Sequence, residues 1–382
     1  MYPPTERLTG PLRGLRVIEI AALGPAPFAT MMMADAGATV LRVNRPGQST
    51  ADAGILGRHR AASLTLDLKN NADREQLLGL VDYADVFIEG FRPGVMERLG
   101  LGPDLVHERN DTLVYARMTG WGQSGPLSST AGHDINYLAV TGTLRSIARS
   151  GETPLPPLNL VGDYGGGGML LYNGILTALF ERHSSGKGQV LDVAMIDGAT
   201  MLMTGIWNRA AAGTWRDEPG TNSIDTGAPF YNVYRTADGE YMAVGSIEPQ
   251  FYRQLLTGLG LTDADLPDQN DETSWATTKT LFADIFAGRT REQWTGIFAG
   301  LDACVSPVLS MKEAVHVPHL RDRGTLRDND GRTEPGPAPL FSRTPLIPID
   351  RSAVADDVTD WVDLGGQRPE LGVAQLESEV SR

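Results

Sequence analysis

The six residues from Gly132 to Tyr137, GHDINY, combine a histidine, a carboxylate and two hydrogen-bonding side chains. They follow a loop rich in glycine, proline and serine and precede an apolar run, residues 138–144. Polar residues just before an apolar run predict a helix N-terminus, where free backbone N–H groups and the helix dipole favour negative charge. A base beside such a helix end is what removal of a proton next to a carbonyl needs. The alternative is that His133 only caps the helix or packs against it.

A second acid or base candidate is Asp163, which stands just before four glycines, Gly165–Gly168, and an apolar stretch, 169–182, that predicts a helix. In such surroundings the carboxyl group is expected to be partly desolvated, which raises its pKa. The alternative for Asp163 is a turn or capping residue. The glycines favour either close packing of the backbone or a backbone that passes near a bulky ligand.

A βαβ unit near the N-terminus is expected to begin the scaffold that positions these residues. Apolar strands at 15–20 and 39–43 flank a turn, 21–27, and a short helix, 28–36, which predicts a parallel sheet. Because the turn lacks the G-x-G-x-x-G pattern, we expect no NAD or FAD site. Further strands are predicted at 63–68, 85–89, 112–118 and 189–195, and an amphipathic helix at 73–83.

Two arginines stand where the ligand of such a sheet is expected. Ligands of open α/β sheets lie beyond the carboxyl ends of the strands. Arg45 and Arg92 closely follow two of the predicted strands, and an anionic ligand would suit these positions. Each arginine alone is equally well explained as a solvated surface charge.

The length of 382 residues favours two domains. A predicted antiparallel hairpin, 231–245, marks a change of sheet type. We therefore expect a large α/β domain with a parallel sheet over residues 1–215 and a small α+β domain over 216–322. The polar, proline-rich segment from 323 to 382 is expected to return to the large domain and to end in a tail.

The composition excludes several classes of function. A formal net charge of −14 argues against nucleic acid or an anionic membrane as a partner. The single cysteine, Cys304, rules out a disulfide within the chain and fits a reducing, cytoplasmic compartment. We also expect no secretory signal, no membrane span and no metal site, because His316 and His319 lack a third ligand nearby.

Several long segments together resemble the family III CoA-transferase superfamily, and most closely its α-methylacyl-CoA racemase branch. The resemblance covers roughly residues 11–350. The segments are LRVIEIA, VLRVNRPG, LTLDLK, DVFIEGFRPGVMERLGLG, YARMTGWGQSGP, AGHDINY, NLVGDYGGGG, SSGKGQVLDVAM and VGSIEPQFY.

This resemblance implies a large Rossmann-like domain built from both chain ends, a smaller domain between them, and two chains that interlock as a homodimer. It implies interconversion of (R)- and (S)-2-methylacyl-CoA thioesters through an enolate, without a cofactor. His133 and Asp163 would be the two acid/base residues, and Glu248 the carboxylate that orients His133. The backbone N–H of Asp134 is expected to stabilise the enolate oxygen.

The resemblance also implies a set of CoA contacts, spread over the segments that follow the predicted strands and over the GHDINY stretch. They are Arg45, Leu66, Asp67, Leu68, Lys69, Gly90, Phe91, Arg92, Arg98, Gly132, Ile135, Asn136 and Tyr137. This chain departs from the family pattern at Ala61–Ala62, where a basic pair is common, and carries Arg58 and Arg60 slightly upstream.

Two other functions compete with the racemase. A CoA-transferase of the same superfamily would use Asp163 as a nucleophile, but it has no need of His133, and its usual glycine-rich loop is absent around Glu248. A catalytically silent acyl-CoA carrier would leave His133, Asp163 and Glu248 without a joint purpose.

Overall fold

The computed structural model describes residues 10–48, 56, 62–262, 264–329 and 331–346. Within them the chain divides into two compact units. The first comprises the described residues of 10–138, 158–202 and 323–346, and the second those of 139–157 and 203–322. The return of the chain at 323 coincides with the predicted boundary, whereas 139–157 and 203–215 lie in the second unit and not, as we expected, in the first.

The first unit contains a sheet of six strands in the order β3-β2-β1-β4-β5-β6. Every pairing in it is parallel, which confirms the predicted parallel sheet. This strand order is that of the Rossmann fold, and it reverses direction between β1 and β4. The strands are β1 (Arg16–Ile20), β2 (Thr39–Asn44), β3 (Ala62–Thr65), β4 (Val86–Glu89), β5 (Val114–Thr119) and β6 (Val190–Ala194).

Helices cover both faces of this sheet, because strands rich in valine and isoleucine must be buried on both sides. One core packs Val17, Ile88 and Val114 against α1 and α7 residues such as Met33 and Ile175. The other packs Ile18, Leu41 and Phe87 against Leu77 and Val106 from α2 and α4. The helices of the first unit are α1 (Pro25–Asp35), α2 (Asn71–Val81), α3 (Val95–Arg98), α4 (Pro103–Arg109), α5 (Asp134–Val140), α7 (Leu170–Ser185) and α8 (Met195–Leu202), whereas α6 (Thr143–Ser146) belongs to the second unit.

The second unit packs helices against a three-stranded antiparallel sheet in the order β7-β8-β9. Its core is aromatic, with Tyr234 stacked on Phe286 at 5.0 Å between ring centroids, and with Trp294 and Phe282 fully buried. The elements are α9 (Thr204–Ala211), β7 (Tyr231–Arg235), β8 (Tyr241–Gly245), α10 (Pro249–Leu259), α11 (Trp275–Phe286), α12 (Arg291–Phe298), β9 (Val305–Pro307), α13 (Met311–Ala314) and α14 (Pro318–Asp322). A separate hairpin, β10 (Leu326–Asn329) with β11 (Arg332–Pro335), belongs to the first unit.

Three sequence expectations need comment. The helix expected from residue 28 begins at Pro25, since proline is favoured in the first turn of a helix. The strand expected at 303–309 is limited to Val305–Pro307. The helix-like stretch 367–379, together with Arg58, Arg60 and Ala61, lies outside the described residues. In the described part of the chain, no helix is both long enough and apolar enough to cross a bilayer.

Candidate active site

A cleft of about 500 Å³ opens at the carboxyl edge of the parallel sheet, where the strand order reverses between β1 and β4. This is the place where open α/β sheets bind their ligands. All of its walls belong to the first unit. They are formed by Ala21, Ala22, Leu23, Pro25, Ala26, Gly90, Phe91, Arg92, Pro93, Met118, Thr119, Gly120, Trp121, Ser128, Thr130, Ala131, Gly132, His133, Tyr137 and Met195.

His133 lines this cleft, is exposed, and immediately precedes α5. Its backbone N–H donates to Asn136 Oδ1 at 3.0 Å, and its carbonyl accepts from the Asn136 N–H at 2.8 Å. The Tyr137 hydroxyl donates to the Gly132 carbonyl at 2.5 Å. The predicted helix entry is therefore present, and its own side chains fix the backbone from which the imidazole projects.

Glycine is required at two positions around this entry because the Tyr137 ring occupies the space. A β-carbon on Gly120 would lie 2.1 Å from Cζ of Tyr137, and one on Gly132 would lie 2.7 Å from its Cε1. The ring also packs edge-on against Trp121, with 4.8 Å between centroids. Tyr137 is thus a buried support of the histidine loop that also lines the cleft, and its expected CoA contact stays a prediction.

Asp163 lies in a π-helix, Leu160–Met169, that runs directly into α7. The glycine tract lies in the second half of this helix. Added β-carbons would come within 2.7 Å of Ala199 N at Gly166, 2.8 Å of Pro25 Cβ at Gly167, and 2.7 Å of Phe28 Cδ1 at Gly168. Close packing against α1 and α8 therefore accounts for these three glycines, in agreement with the first of the two expectations.

The side chain of Asp134 links the two candidate bases. Its Oδ2 accepts the backbone N–H of Asp163 at 2.7 Å, and the residue is only 7% exposed. Gly162 leaves room for this contact, since a β-carbon there would lie 2.5 Å from the same oxygen. In the described part of the chain, Oδ1 of Asp134 is buried without a hydrogen-bond partner. The residue that follows His133 thus holds the backbone at Asp163.

The carboxyl group of Asp163 lies against Gly24, between the cleft-lining residues Leu23 and Pro25. A β-carbon on Gly24, whose φ is +70°, would sit 3.2 Å from Oδ2 of Asp163. Leu23 is 85% exposed beside it. Asp163 is not itself a wall residue of the cleft. Its carboxyl group lies against Gly24, and the residues on either side of Gly24 are wall residues.

Burial raises the pKa of Asp163 above its ordinary value, and the negative charge of Asp134 adds to this rise. The hydrogen bond from Asn159 Nδ2 to Oδ2, at 3.4 Å, and the neighbouring His133 act in the opposite direction. Burial, together with the charges of Asp163 and Asp134, also raises the pKa of Tyr137. A carboxyl group with a raised pKa beside a histidine can take up and release a proton closer to neutral pH.

Asp163→Asn is expected to raise the thermal unfolding midpoint at neutral pH. Because the folded-state pKa of Asp163 is raised, the folded chain binds a proton here at pH values where the unfolded chain has lost it. The carboxyl group therefore contributes stability below its unfolded pKa, and that contribution is lost as the pH rises through the folded value. The gain from Asp163→Asn should shrink as the pH falls towards about 4.

Scanning calorimetry of Asp163→Asn and the wild type across this pH range measures the difference. The exposed Asp111→Asn serves as the matched control. An Asp163→Asn gain that grows with falling pH would contradict the prediction.

Several expected CoA contacts follow the carboxyl ends of β2, β3 and β4, as the sequence predicts for a parallel sheet. Arg45 and Arg92 are exposed there, and Arg98 ends α3 and is exposed. Asp67 and Lys69 form a turn after β3 in which the Lys69 N–H donates to Asp67 Oδ1 at 3.1 Å. Gly90 and Phe91 line the cleft, Leu68 is half-buried, and Ile135 and Asn136 are exposed on α5.

Leu66 has neither its side chain nor its N–H available for the expected CoA contact. Its side chain is buried in the second core of the first unit, and its N–H donates to the Asn44 carbonyl at 2.9 Å as part of the β2–β3 pairing. Neither group is free for a ligand. The burial of Leu66 could not be predicted from the sequence, because at the end of a strand a buried apolar residue and a ligand-binding residue can follow one another.

Glu248 belongs to the second unit, where it directly precedes α10. It is exposed, and its side chain makes no capping hydrogen bond to that helix. Its charge, after burial and the charge of Asp302, contributes to a raised pKa of the Cys304 thiol. A carboxylate at a helix start that does not cap its own helix is available for another partner.

The sequence analysis missed Asn159, Gly24 and the side-chain role of Asp134. Asn159 lies four residues before Asp163, a helical spacing, but the following glycines read as a loop. Gly24 stands in the turn after β1, from which we drew only the expectation of no NAD or FAD site. Asp134 was expected to act only through its N–H, because its partner lies 29 positions away and leaves no local pattern.

Comparison with known proteins places this geometry in a family. The family model described as CoA-transferase family III matches residues 12–353. The α-methylacyl-CoA racemases of Mus musculus and Homo sapiens are 51% and 48% identical to this chain, each over 338 residues that cover 88% of both proteins. A solved CaiB/BaiF family protein from Brucella suis has the same fold, with a TM-score of 0.77 over 90% of this chain and 96% of that one, at 23% identity. The resemblance drawn from the sequence is confirmed, and the chain belongs to CoA-transferase family III.

Proposed function

We propose that the chain is an isomerase that interconverts the (R) and (S) forms of 2-methylacyl-CoA thioesters by proton transfer at the α-carbon. One observation carries the proposal. In a chain about half identical to two α-methylacyl-CoA racemases, His133 lines the cleft and Asp134 holds the backbone of Asp163, whose carboxyl group lies against Gly24, the residue between the cleft-lining Leu23 and Pro25. Inversion at one carbon needs two such groups, one for each face.

In the proposed mechanism His133 and Asp163 share one transferable proton. When the (S) thioester binds, neutral His133 removes the α-proton and protonated Asp163 delivers one to the opposite face. When the (R) thioester binds, ionised Asp163 removes the proton and imidazolium His133 delivers one. The assignment of faces follows the family. The raised pKa of Asp163 supports the shared proton, because the carboxyl group must be able to carry a proton near the working pH.

The intermediate is an enolate with its charge on the thioester oxygen. We propose that the backbone N–H groups at the start of α5, and that of Asp134 in particular, donate to this oxygen. The helix dipole adds positive potential at the same place. Loss of one such donor typically raises a barrier by about 3–4 kcal/mol. We propose that the reaction needs no cofactor.

The CoA portion is proposed to lie along the carboxyl ends of β2, β3 and β4. Arg45, Arg92 and Lys69 are exposed there and can pair with phosphate groups. Asp67, Gly90, Phe91 and Arg98 complete the proposed contacts. The exposed side chains on the first turn of α5, Ile135 and Asn136, would meet the thioester end.

Incubation with (R)- or (S)-2-methylbranched acyl-CoA in deuterated water tests the proposal. We expect deuterium at the α-carbon and scrambled configuration from either enantiomer, without an acceptor acid. A CoA-transferase with Asp163 as nucleophile would instead move CoA to an added carboxylate and leave the α-carbon unlabelled. A silent carrier would do neither.

We also propose that the chain works as a homodimer. Within the described residues, the eight-residue helix α9 has no buried side chain, and its Trp207 is 56% exposed. In the first unit Phe180 on α7 is 80% exposed. A contiguous apolar patch marks a surface that another chain covers, and we propose that the exposed helix α9 with its Trp207 belongs to such a patch.

Light scattering is expected to give twice the chain mass of 41.1 kDa. Trp207→Ser should shift the mass towards that of the single chain, whereas Thr214→Ser, an exposed position after α9, should not. A wild-type protein of single-chain mass at all concentrations would contradict the dimer.

A further inference from the structure

An ionic bridge that takes no part in the proton transfers joins the ends of β4 and β5 to α3. Glu89 ends β4 and is fully buried, and Arg117 lies beside it on β5 as its register partner. Arg117 Nε donates to Glu89 Oε1 at 3.0 Å. The other two nitrogens of the guanidinium donate to Glu97 in α3, to Oε1 at 2.8 Å and to Oε2 at 3.3 Å.

The free oxygen of Glu89 extends the bridge into the cleft wall. Oε2 of Glu89 accepts the backbone N–H of Phe91 at 2.7 Å. Phe91 and its neighbours Gly90, Arg92 and Pro93 line the cleft. The bridge therefore holds the segment Gly90–Arg98 at both ends, by Glu89 at its start and by Glu97 near its end.

Stability alone does not explain a bridge of this kind. Buried ion pairs often contribute no more to folding than apolar residues of the same volume. Here two carboxylates share one guanidinium, and burial raises the pKa of Glu89 against the opposing effects of Phe91 N–H and Arg117. Such an arrangement costs desolvation energy, but it fixes geometry, because a guanidinium fork accepts only a narrow range of carboxylate positions.

A second ion pair, at the opposite end of β4, serves as a comparison with the Glu89–Arg117 pair. Arg182 of α7 donates to Asp85 Oδ1 at 3.1 Å and to the Thr112 carbonyl at 3.0 Å. Asp85 stands just before the amino end of β4, while Glu89 forms its carboxyl end. Because ligands of parallel sheets bind at the carboxyl edge, only the Glu89 pair adjoins the cleft.

We propose that Glu89, Arg117 and Glu97 are positioning residues that hold the Gly90–Arg98 segment in the shape that binds the CoA part of the thioester. The inference rests on the proposed acyl-CoA substrate. The segment presents two arginines, Arg92 and Arg98, that must face the phosphates or the pantetheine arm together. Preformed placement of both lowers the ordering cost of binding.

Arg117→Lys is the first test, since lysine keeps the charge and loses the fork. We expect KM for 2-methylacyl-CoA and the Kd of free CoA, measured by calorimetry, to rise about tenfold, while kcat changes by less than about twofold. Arg182→Lys should leave all three values unchanged. KM for the corresponding N-acetylcysteamine thioester, which lacks the nucleotide and most of the pantetheine arm, should also stay the same in Arg117→Lys.

Glu97→Gln is the second test, because this side chain is 44% exposed and its replacement is tolerated more readily than a change at the buried arginine. It should give the same increase in KM and Kd in smaller measure. A loss of kcat with unchanged KM, an equal rise for the truncated thioester, or the same effect in Arg182→Lys would overturn the proposal. The Kd of free CoA tests the role of the bridge even if the wild-type chain exchanges no α-proton. Failure of the racemase proposal is therefore distinguished from failure of this one.

Discussion

His133→Ala is expected to lower the rate of racemisation by about 10³-fold or more, since a positioned acid or base typically contributes 10²–10⁴. The side chain is exposed at the cleft, and the hydrogen bonds that shape its loop are made by its backbone and by Asn136 and Tyr137. Alanine should therefore remove the imidazole and leave the loop intact. The Kd of CoA should remain close to that of the wild type.

The sharper outcome separates exchange from inversion. With His133 replaced, the (R) thioester should still exchange its α-proton through Asp163 and keep its configuration, while the (S) thioester should not exchange. Asp163→Asn should show the reverse, with exchange from (S) only. Proton NMR in deuterated water, combined with chiral analysis of the hydrolysed acid, distinguishes these cases.

His183→Ala is the matched control, because His183 is exposed on α7 in the same unit and has no proposed role. It should racemise at the wild-type rate. If His133→Ala racemises both enantiomers normally, the histidine has no part in the reaction. If both variants lose all exchange from both enantiomers, two independent bases are not acting.

Gly198→Ala is expected to lower stability by about 2–4 kcal/mol and to remove activity. A β-carbon at Gly198 would lie 1.9 Å from the Gly166 carbonyl oxygen and 2.5 Å from the Gly166 Cα. Both obstacles are backbone atoms, so no rotation of a side chain can relieve the overlap. Helix α8 must then move away from the π-helix that carries Asp163.

Gly174→Ala is the control for this substitution. Gly174 is also helical, in α7, but its nearest neighbour would be Leu191 Cδ1 at 3.7 Å, an ordinary contact. Alanine there should stabilise the chain by about 0.5–1 kcal/mol. Denaturant unfolding and deuterium exchange measure the pair, and a Gly198→Ala variant as stable and active as Gly174→Ala would refute the packing argument.

The strands of the large sheet could be predicted because strands covered on both faces read as runs of apolar residues. The segment Val86–Glu89 shows the limit of such a prediction. Its apolar residues give the strand, but nothing local shows that Glu89 pairs with Arg117 on the next strand and with Phe91 N–H. Such contacts depend on strand register, which is a property of the folded sheet.

The candidate site was predictable where chemistry is local and not where it is tertiary. His133 stands at a helix entry that the residue types themselves specify. The π-helix around Asp163 could not be predicted, since four glycines have low helix propensity and become helical only because α1 and α8 pack against them without side chains between. Asp134, which reaches Asp163 from the neighbouring loop, was hidden for the same reason.

The start of α1 carries Pro25 and Pro27, and Pro25 and Ala26 line the cleft. In dinucleotide enzymes with this strand order, the N-terminus of the corresponding helix binds a pyrophosphate through its backbone N–H groups. Two prolines deprive this end of two of its amide hydrogens, and the Phe28 N–H already donates to the Gly24 carbonyl. The cleft wall here is therefore apolar, at the position where dinucleotide enzymes bind the charged pyrophosphate. For the proposed thioester we therefore expect one orientation, with its hydrocarbon tail against this apolar wall and its diphosphate towards Arg45 and Arg92, which follow β2 and β4.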